Sequence, residues 1–143
     1  MKKIILLLSL LIYTISYSQY DIHIGQSYKS IYSYYKNKGY NIKFYGDDKD
    51  EYLNLIKDET LIVFYNSFYK VDNKSICTNQ DFAFSTKDKF YEMCDKLNIG
   101  DDYNPINEHK PVNLYLSSIL CRVYKFTSKN SEGKTIYCIS IIR

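Results

Sequence analysis

The chain has 143 residues, with 19 lysines and arginines against 16 aspartates and glutamates and a formal net charge of +3. Lys2 and Lys3 belong to a segment that we expect to be removed, so the remainder is close to neutral. Basic residues also alternate with acidic ones, as where Lys49 stands between Asp48 and Asp50. No stripe of positive charge could neutralise a row of phosphates, which argues against a nucleic acid as partner.

The amino-terminal segment has the profile of a secretory signal peptide. Two lysines precede the apolar run Ile4–Ile12, and small and polar residues follow it at 13–18. A transmembrane helix needs about 20 apolar residues, roughly twice the length of this run, so an uncleaved anchor is the less favoured alternative. We expect residues 1–18 to be the signal peptide and residues 19–143 to form one domain. That domain would have no membrane span and would be exported, in soluble form, to a periplasm or the medium.

All four cysteines lie beyond the predicted signal peptide. An even number of cysteines in an oxidising compartment favours disulfides. The pairings Cys121–Cys138 and Cys77–Cys94 would each close a loop of about 17 residues and contribute about 3 kcal/mol apiece in the chain-entropy model. The alternative is that some of these thiols are small buried apolar groups. The Cys and His spacing typical of a zinc or redox site is missing, so we expect neither a metal nor a cofactor.

The first predicted element is an amphipathic helix within residues 26–39. Apolar and aromatic side chains recur there at i, i+3, i+4 and i+7. Ser27 is expected to cap its amino end, and Gly39 to take the left-handed conformation after its last turn. The apolar stripe consists of Tyr28, Ile31, Tyr32 and Tyr35.

Four strands are predicted to follow. The pattern changes to a period of two at residues 40–45, and two apolar runs at 52–57 and 60–68 flank the turn Lys57-Asp58-Glu59. The second of these runs contains the sequence LIVFY and is expected to be a central strand. A fourth strand is predicted at 75–84, although Gln80 shares a side there with the aromatic residues Phe82 and Phe84.

A second helix and three more strands complete the predicted order. Ser85 or Thr86 would cap the helix, and Gly100 would end it. Residues 101–110 are irregular, and alternating runs at 112–117, 119–127 and 135–142 predict an antiparallel meander. The order favours an α+β fold with one mostly antiparallel sheet of about six to seven strands and two helices packed on one face.

The register of the last hairpin decides one of the disulfides. If this hairpin is centred between Lys129 and Asn130, Cys121 and Cys138 stand opposite each other on one face of the sheet. A register shifted by two residues would place them on a diagonal instead. The predicted Cys121–Cys138 bond depends on this register, because alpha carbons more than about 7 Å apart cannot be bridged.

The layout resembles that of a known group of proteins. A signal sequence is followed by Ile24-Gly25-Gln26-Ser27 at the start of a helix, and then by four strands with a cysteine in the last of them, at Ser75-Ile76-Cys77. This is similar to a large group of small, exported, uncharacterised bacterial proteins and, more distantly, to beta-lactamase-inhibitor-like and outer-membrane assembly lipoprotein domains. The resemblance implies binding to another protein. The lipoprotein branch would carry an anchoring cysteine after the cleavage point, where this chain has Gln19.

Two histidines, His23 and His109, could act as a general base near neutral pH. His109 stands in the irregular segment next to Glu108, with Asp102 nearby in sequence. A small secreted hydrolase that uses His109 with Glu108 or Asp102 is therefore one alternative. The chain has neither a Gly-x-Ser-x-Gly elbow nor a glycine-rich phosphate loop.

Two acidic clusters, at residues 47–51 and 101–104, contain the oxygen ligands that Ca²⁺ prefers. The frame of an EF-hand fails when it is started at Asp102. Ile106 then falls where a carboxylate or amide is needed, and Asn107 falls where glycine is required. Solvated turns explain both clusters more simply, and no metal site is predicted.

The chain contains 17 tyrosines and no tryptophan. Tyrosine offers a large, rigid contact area with a polar tip, although a bias toward A/T-rich codons is the alternative explanation. Tyr34 lies outside the predicted helix stripe, and Tyr45 lies on the outer side of the first strand. These two residues are the candidate binding residues, as parts of an exposed aromatic patch.

These features favour a non-catalytic exported module that binds a partner protein, as an inhibitor, an immunity protein or an envelope accessory subunit does. The hydrolase is the first alternative and requires a concave pocket where His109 meets a second catalytic group. Tyrosine-based glycan binding is the second alternative and requires coplanar rings along a groove. The partner and the oligomeric state are not set by the sequence.

Overall fold

A computed structural model describes residues 22–45, 51–71 and 74–143 of the chain. The predicted signal peptide and residues 47–50 of the first acidic cluster fall outside the described residues. Seven strands form one sheet within these ranges, and two helices accompany it. The expected α+β fold is therefore confirmed.

Two helices have the predicted positions. Helix α1 spans Tyr28–Lys36, and helix α2 spans Lys87–Leu97. The hydroxyl of Ser27 accepts a hydrogen bond from the backbone N–H of Ser30 at 3.3 Å, which confirms the predicted cap of α1. Thr86 occupies the cap position of α2 without a side-chain bond, and Asn98 in the left-handed conformation ends that helix two residues before Gly100.

The strands pair in the order β1-β2-β3-β4-β7-β6-β5, and every neighbouring pair is antiparallel. Strands β1 to β4 form a meander. Helix α2 then carries the chain to the far edge, and β5, β6 and β7 return inward until β7 pairs with β4. The strands are β1 Asn41–Tyr45, β2 Glu51–Lys57, β3 Thr60–Val71, β4 Lys74–Phe84, β5 Val112–Leu116, β6 Ile119–Lys129 and β7 Thr135–Ile142.

Both helices pack on one face of the sheet, which we call the helix-covered face. The ring of Tyr35 in α1 lies 5.6 Å from that of Phe64 in β3, and the ring of Phe90 in α2 lies 6.1 Å from that of Tyr137 in β7. Burial of apolar surface between the layers stabilises this arrangement. The sheet's largest contributors are Leu53, Leu55, Ile62, Phe64, Phe82, Phe84, Ile139 and Ile141.

A side-chain staple attaches the irregular segment after α2 to the sheet. The side chain of Asn104 accepts a hydrogen bond from the backbone N–H of Lys125 and donates to the carbonyl oxygens of Lys110 and Val123, each at 2.9 Å. Its backbone forms an isolated bridge to Lys125. The pairing of β5 with β6 ends at Val123, and Asn104 pairs with Lys125, two residues further along the same edge of β6.

The register of β6 and β7 differs from the one that a Cys121–Cys138 bond needs. Phe126 stands opposite Cys138, whereas Cys121 stands opposite Leu114 of β5. Cys121 comes five positions before Phe126, which is about 16 Å along an extended strand. Because five is odd, Cys121 and Cys138 also lie on opposite faces of the sheet.

The hairpin loop explains why the predicted register is wrong. Lys129 pairs with Thr135, so the loop comprises residues 130–134 and its centre lies near residue 132. The side-chain oxygen of Asn130 accepts hydrogen bonds from the backbone N–H groups of Glu132 and Lys134 at 3.0 and 2.9 Å. Asn130 thus folds the loop around its own side chain, and the strands begin on either side of that loop.

Neither predicted disulfide is present. All four cysteines are free and buried. The thiol of Cys77 donates to the carbonyl oxygen of Asn79 at 3.2 Å, within its own strand, and Cys94 belongs to the buried side of α2. The described thiols therefore act as small apolar groups, which is the alternative that the sequence left open.

Candidate interaction surface

The second side of the sheet has no described helix packed on it, and we call it the helix-free face. The buried core residues of each strand face the two helices. Because successive side chains of a strand point to opposite faces, the residues between them belong to the helix-free face. Two rows of side chains run across this face from strand to strand, one mixed and one mainly apolar. Their composition determines what the face can bind.

The mixed row crosses six strands through directly paired positions. Carboxylate, amide, hydroxyl, ammonium and phenol groups all occur in it. The side-chain carbonyl oxygen of Asn54 is buried and has no hydrogen-bond partner among the described residues. The row consists of Lys43, Asn54, Val63, Asp81, Ser140 and Tyr124.

Asp81 and Ser140 form the centre of this row. The hydroxyl of Ser140 donates to the Oδ1 atom of Asp81 at 2.6 Å, across the β4–β7 pair. Burial raises the pKa of the Asp81 carboxyl, and the hydrogen bond from Ser140 partly opposes that rise. Burial thus disfavours the charged form of this carboxylate, and a neutral donor on the neighbouring strand favours it.

The mainly apolar row lies beside the mixed one. It starts at Asn41 on the edge strand and continues through Ile56, whose side chain is 44 % exposed. Toward the middle of the sheet the residues become half-buried or buried. In order across the strands the row contains Asn41, Ile56, Leu61, Ala83, Cys138 and Phe126.

The most exposed apolar contact surface lies at the outer margin of the same face. Tyr115 of β5 and Leu120 of β6 are directly paired across the strands, and they are 70 % and 47 % exposed. A tight turn at Ser117, which has a φ of +57°, joins the two strands. The pair therefore forms a protruding apolar tip rather than one isolated exposed side chain.

Among the side chains that the structure describes, six large apolar ones are exposed, and three of these belong to the helix-free face, namely Ile56, Tyr115 and Leu120. The other three are scattered over the helix-covered side and the loop after α2. Single exposed apolar residues need no explanation, whereas a cross-strand pair on one face marks a candidate contact surface. The Tyr115–Leu120 pair is the strongest such feature.

Tyr34 lies on the helix-covered side, at the margin of α1. Its ring centroid is 4.8 Å from that of His23 and 5.0 Å from that of Tyr35, and its hydroxyl accepts a hydrogen bond from Lys38. The structure thus places Tyr34 half-buried among other rings. Tyr45 belongs to β1, where its backbone pairs with Tyr52, and its side chain lies outside the described part of the structure.

The residues of the hydrolase alternative stand in the loop after α2. Glu108 ends a short 3-10 helix, Ile106–Glu108, and His109 follows it in the left-handed conformation. His109, Glu108 and Asp102 are all exposed. In the described ranges, no hydrogen bond or ion pair joins His109 to either carboxylate. The structure does not assemble these three residues into a site.

His23 has a packing role that the sequence did not reveal. Its backbone N–H donates to the side-chain carbonyl oxygen of Gln80 at 2.8 Å, and its Nδ1 atom lies 2.8 Å from the corresponding oxygen of Gln26. His23 is 5 % exposed and Gln80 is fully buried. The one hint of this contact in the sequence is that Gln80, a polar residue, shares a side of β4 with the aromatic residues Phe82 and Phe84.

The described residues contain no group of three or more His, Cys, Asp and Glu side chains arranged to hold a metal ion. Neither described helix is long and apolar enough to cross a membrane. Comparison with protein-family models, with curated proteins and with solved structures found no match. The resemblance to small exported bacterial proteins therefore stays a prediction.

Proposed function

We propose that the chain is an exported, non-catalytic module that binds a partner protein through the helix-free face. The observation that supports this most is the Tyr115–Leu120 pair, which presents adjoining exposed apolar surface at one margin of that face. Aromatic residues near the centre of an interface contribute a large share of binding energy. Export is supported by the signal-peptide profile of residues 1–18.

The polar groups of the face suit a protein partner. Interfaces combine an apolar centre with hydrogen-bonding groups around it, at about one hydrogen bond per 100–200 Å². Here the mixed row places donors and acceptors, such as the ammonium group of Lys43 and the carboxyl of Asp81, next to the apolar row. A partner that covers both rows would gain apolar burial and hydrogen bonds together.

Site-specific photo-crosslinking tests this proposal directly. A photoreactive amino acid replaces Leu120 in one variant and Lys36, an exposed residue of α1, in another. Each variant is produced in the source organism and irradiated. We expect the Leu120 variant to trap one defined protein and the Lys36 variant to trap none. A protein trapped only from the Lys36 position would place the interface on the helices and contradict the proposal.

Affinity measurements with the trapped protein use a matched pair of substitutions. Leu120→Lys places a charge in the proposed contact, and Ile106→Lys places the same charge at a side chain of similar exposure, 45 % against 47 %, outside the face. We expect Leu120→Lys to weaken binding about tenfold or more and Ile106→Lys to leave it unchanged. Equal effects of the two substitutions would contradict the proposal, as would a hydrolytic activity that His109→Ala abolishes.

A further inference from the structure

Strand β5 is an edge strand whose sequence carries no charge. It pairs with β6 on one side only among the described strands. The two-residue turn at residues 117–118 brings Leu116 opposite Ile119. The residues that flank such a turn exchange backbone hydrogen bonds, so Leu116 directs its N–H and C=O groups to β6. Alternate residues then direct their backbone groups to β6, so Asn113 and Tyr115 present their N–H and C=O groups to the free edge. Such an edge is a template for another strand.

The two edges of the sheet differ in their protection. At the opposite edge, β1 carries the exposed Lys43 on the helix-free face. A lysine on an edge strand is a common device against unwanted strand pairing. Strand β5 reads VNLYL and contains neither a charge nor a proline. The available pairing edge is therefore β5.

The sequence of β5 is complementary to itself in an antiparallel arrangement centred on Leu114. Asn113 of one chain then pairs with Tyr115 of the second copy, and these are the two residues whose backbone groups face the free edge. The two reciprocal pairs give four backbone hydrogen bonds between the chains. Leu114 meets Leu114 of the second copy on the two-fold axis, which is the isologous geometry of a symmetric dimer.

On the helix-covered face, this register pairs only apolar side chains between the two chains. Val112, Leu114 and Leu116 are half-buried there, so each keeps apolar surface at the sheet margin. In the register above, Val112 faces Leu116 of the second copy and Leu114 faces its own equivalent. Three cross-strand contacts between the chains are therefore wholly apolar. Burial of this remaining surface would stabilise the pair.

The charges near the edge do not oppose the arrangement. The same register places Lys110 of one chain against Ser118 of the second copy, next to the uncharged turn. Arg122 lies on β6, one strand further from the axis. Directly opposed like charges, which destabilise strand pairs, do not occur along β5 in this register.

We infer that the protein forms a homodimer in which the two β5 strands pair antiparallel about Leu114 and join two seven-stranded sheets into one. The helix-free faces then become continuous. Tyr115 of one chain and Tyr115 of the second copy lie diagonally across the new strand pair, so the two Tyr115–Leu120 tips adjoin near the middle of the joined sheet. The inference goes beyond the proposed function, since it concerns a second copy and not a different protein.

Sedimentation velocity on the purified protein, across a range of concentrations, tests the assembly. We expect a concentration-dependent dimer. Asn113→Lys puts a charge on the pairing edge, and Asn41→Lys puts the same charge on an exposed asparagine of the other edge strand. The first substitution should weaken dimerisation about tenfold or more, and the second should leave it unchanged. Asn113→Pro should act like Asn113→Lys, because it removes an N–H that faces the free edge.

Disulfide trapping tests the register. A chain with Asn113→Cys is mixed with a chain carrying Tyr115→Cys under mild oxidation. Because residues 113 and 115 are directly paired, with alpha carbons about 5.5 Å apart, the mixture should cross-link more than either variant alone. The native cysteines do not interfere because they are buried.

Two results would overturn the inference. One is a monomer at every concentration, with circular dichroism showing that the protein is folded. The other is a dimer that Asn41→Lys weakens and Asn113→Lys does not. A monomer that still binds its partner through Leu120 would overturn the dimer alone. A dimer whose Leu120→Lys variant keeps full partner affinity would overturn the proposed function alone.

Discussion

The ammonium nitrogen of Lys125 lies 2.7 Å from the carbonyl oxygen of Ile99, inside the protein and beyond the last turn of α2. It also donates to the carbonyl oxygen of Gly100 at 2.9 Å. Lys125 lies on the helix-covered face and is only 1 % exposed. Ile99 and Gly100 follow Asn98, the residue that caps α2, so their carbonyl groups belong to the segment after the helix. Lys125 therefore joins β6 to the segment that leaves α2.

Replacement of this lysine should destabilise the fold. Lys125→Met keeps roughly the length of the side chain but removes the ammonium group that donates to both carbonyl oxygens, and the buried carbonyl of Ile99 loses this partner. We expect the free energy of unfolding to fall by about 2 kcal/mol, measured by urea denaturation. Lys129→Met, at an exposed position of the same strand, should change it by less than about 0.5 kcal/mol. An unchanged or higher stability of Lys125→Met would contradict the role of these bonds.

Asn104 should be sensitive even to an isosteric change. Asn104→Asp replaces the NH₂ group, which donates to Lys110 and Val123, by an oxygen that would face the same carbonyl groups. We expect a loss of about 2 to 3 kcal/mol in the free energy of unfolding near neutral pH. The amide of Lys125 should also exchange faster with solvent deuterium. The matched substitution Asn107→Asp, in the exposed 3-10 turn, should be nearly neutral, and comparable losses in both variants would argue against the staple.

Asp81 predicts a pH dependence of stability. Burial raises the pKa of its carboxyl in the folded chain, so the folded state binds the proton more tightly than the unfolded state. The contribution of Asp81 to stability is therefore fully present below its unfolded pKa and is lost as the pH rises through the higher folded pKa. Asp81→Asn should be more stable than the parent at pH 7, and the difference should shrink as the pH falls toward 4.

Melting temperatures of Asp81→Asn and the parent, recorded in parallel from pH 4 to pH 7, measure this difference. Ser140→Ala removes the hydrogen bond that favours the charged carboxylate, so it should destabilise the chain more at pH 7 than at pH 4. Asp102→Asn in the exposed loop serves as the control substitution. A stability difference between Asp81→Asn and the parent that grows as the pH falls would reverse the expected sign.

The four thiols should react slowly while the chain is folded. Burial raises the pKa of Cys94 and of Cys138 to about 11, so only about one in a thousand of these thiols is a thiolate at pH 8. We expect almost no reaction of the native chain with a thiol reagent and four equivalents after unfolding under non-reducing conditions. Ser118→Cys should add one rapidly reacting thiol. Fewer than four equivalents in urea would show that a disulfide forms after all.

The local patterns were sufficient for the order and type of the elements. The i, i+3, i+4, i+7 spacing around Ile31 and the alternation in the strands reflect which side of each element is buried, and that side depends on neighbouring residues in sequence. The same holds for the cap at Ser27 and the left-handed Gly39. For this reason the α+β fold could be predicted without any relative.

Long-range register could not be predicted in the same way. A period of two restricts the pairing to every second register only where one face of a strand is polar, and β6 and β7 have apolar residues on both faces, so their patterns did not exclude the register that pairs Cys121 with Cys138. The side chain of Asn130, which organises a five-residue loop, made that choice and separated Cys121 from Cys138. Gln80 and Lys125 also gained their partners from segments far away in the chain.

The positions of the two helices and the seven strands could be predicted from the polarity of residues that are close together in the chain. The three-dimensional arrangement was needed to show that Tyr115 and Leu120 share the helix-free face, that β5 is an edge among the described strands, and that the cysteines stay apart. Those properties depend on which strands become neighbours. Packing of the two helices against one side of the whole sheet selects that arrangement.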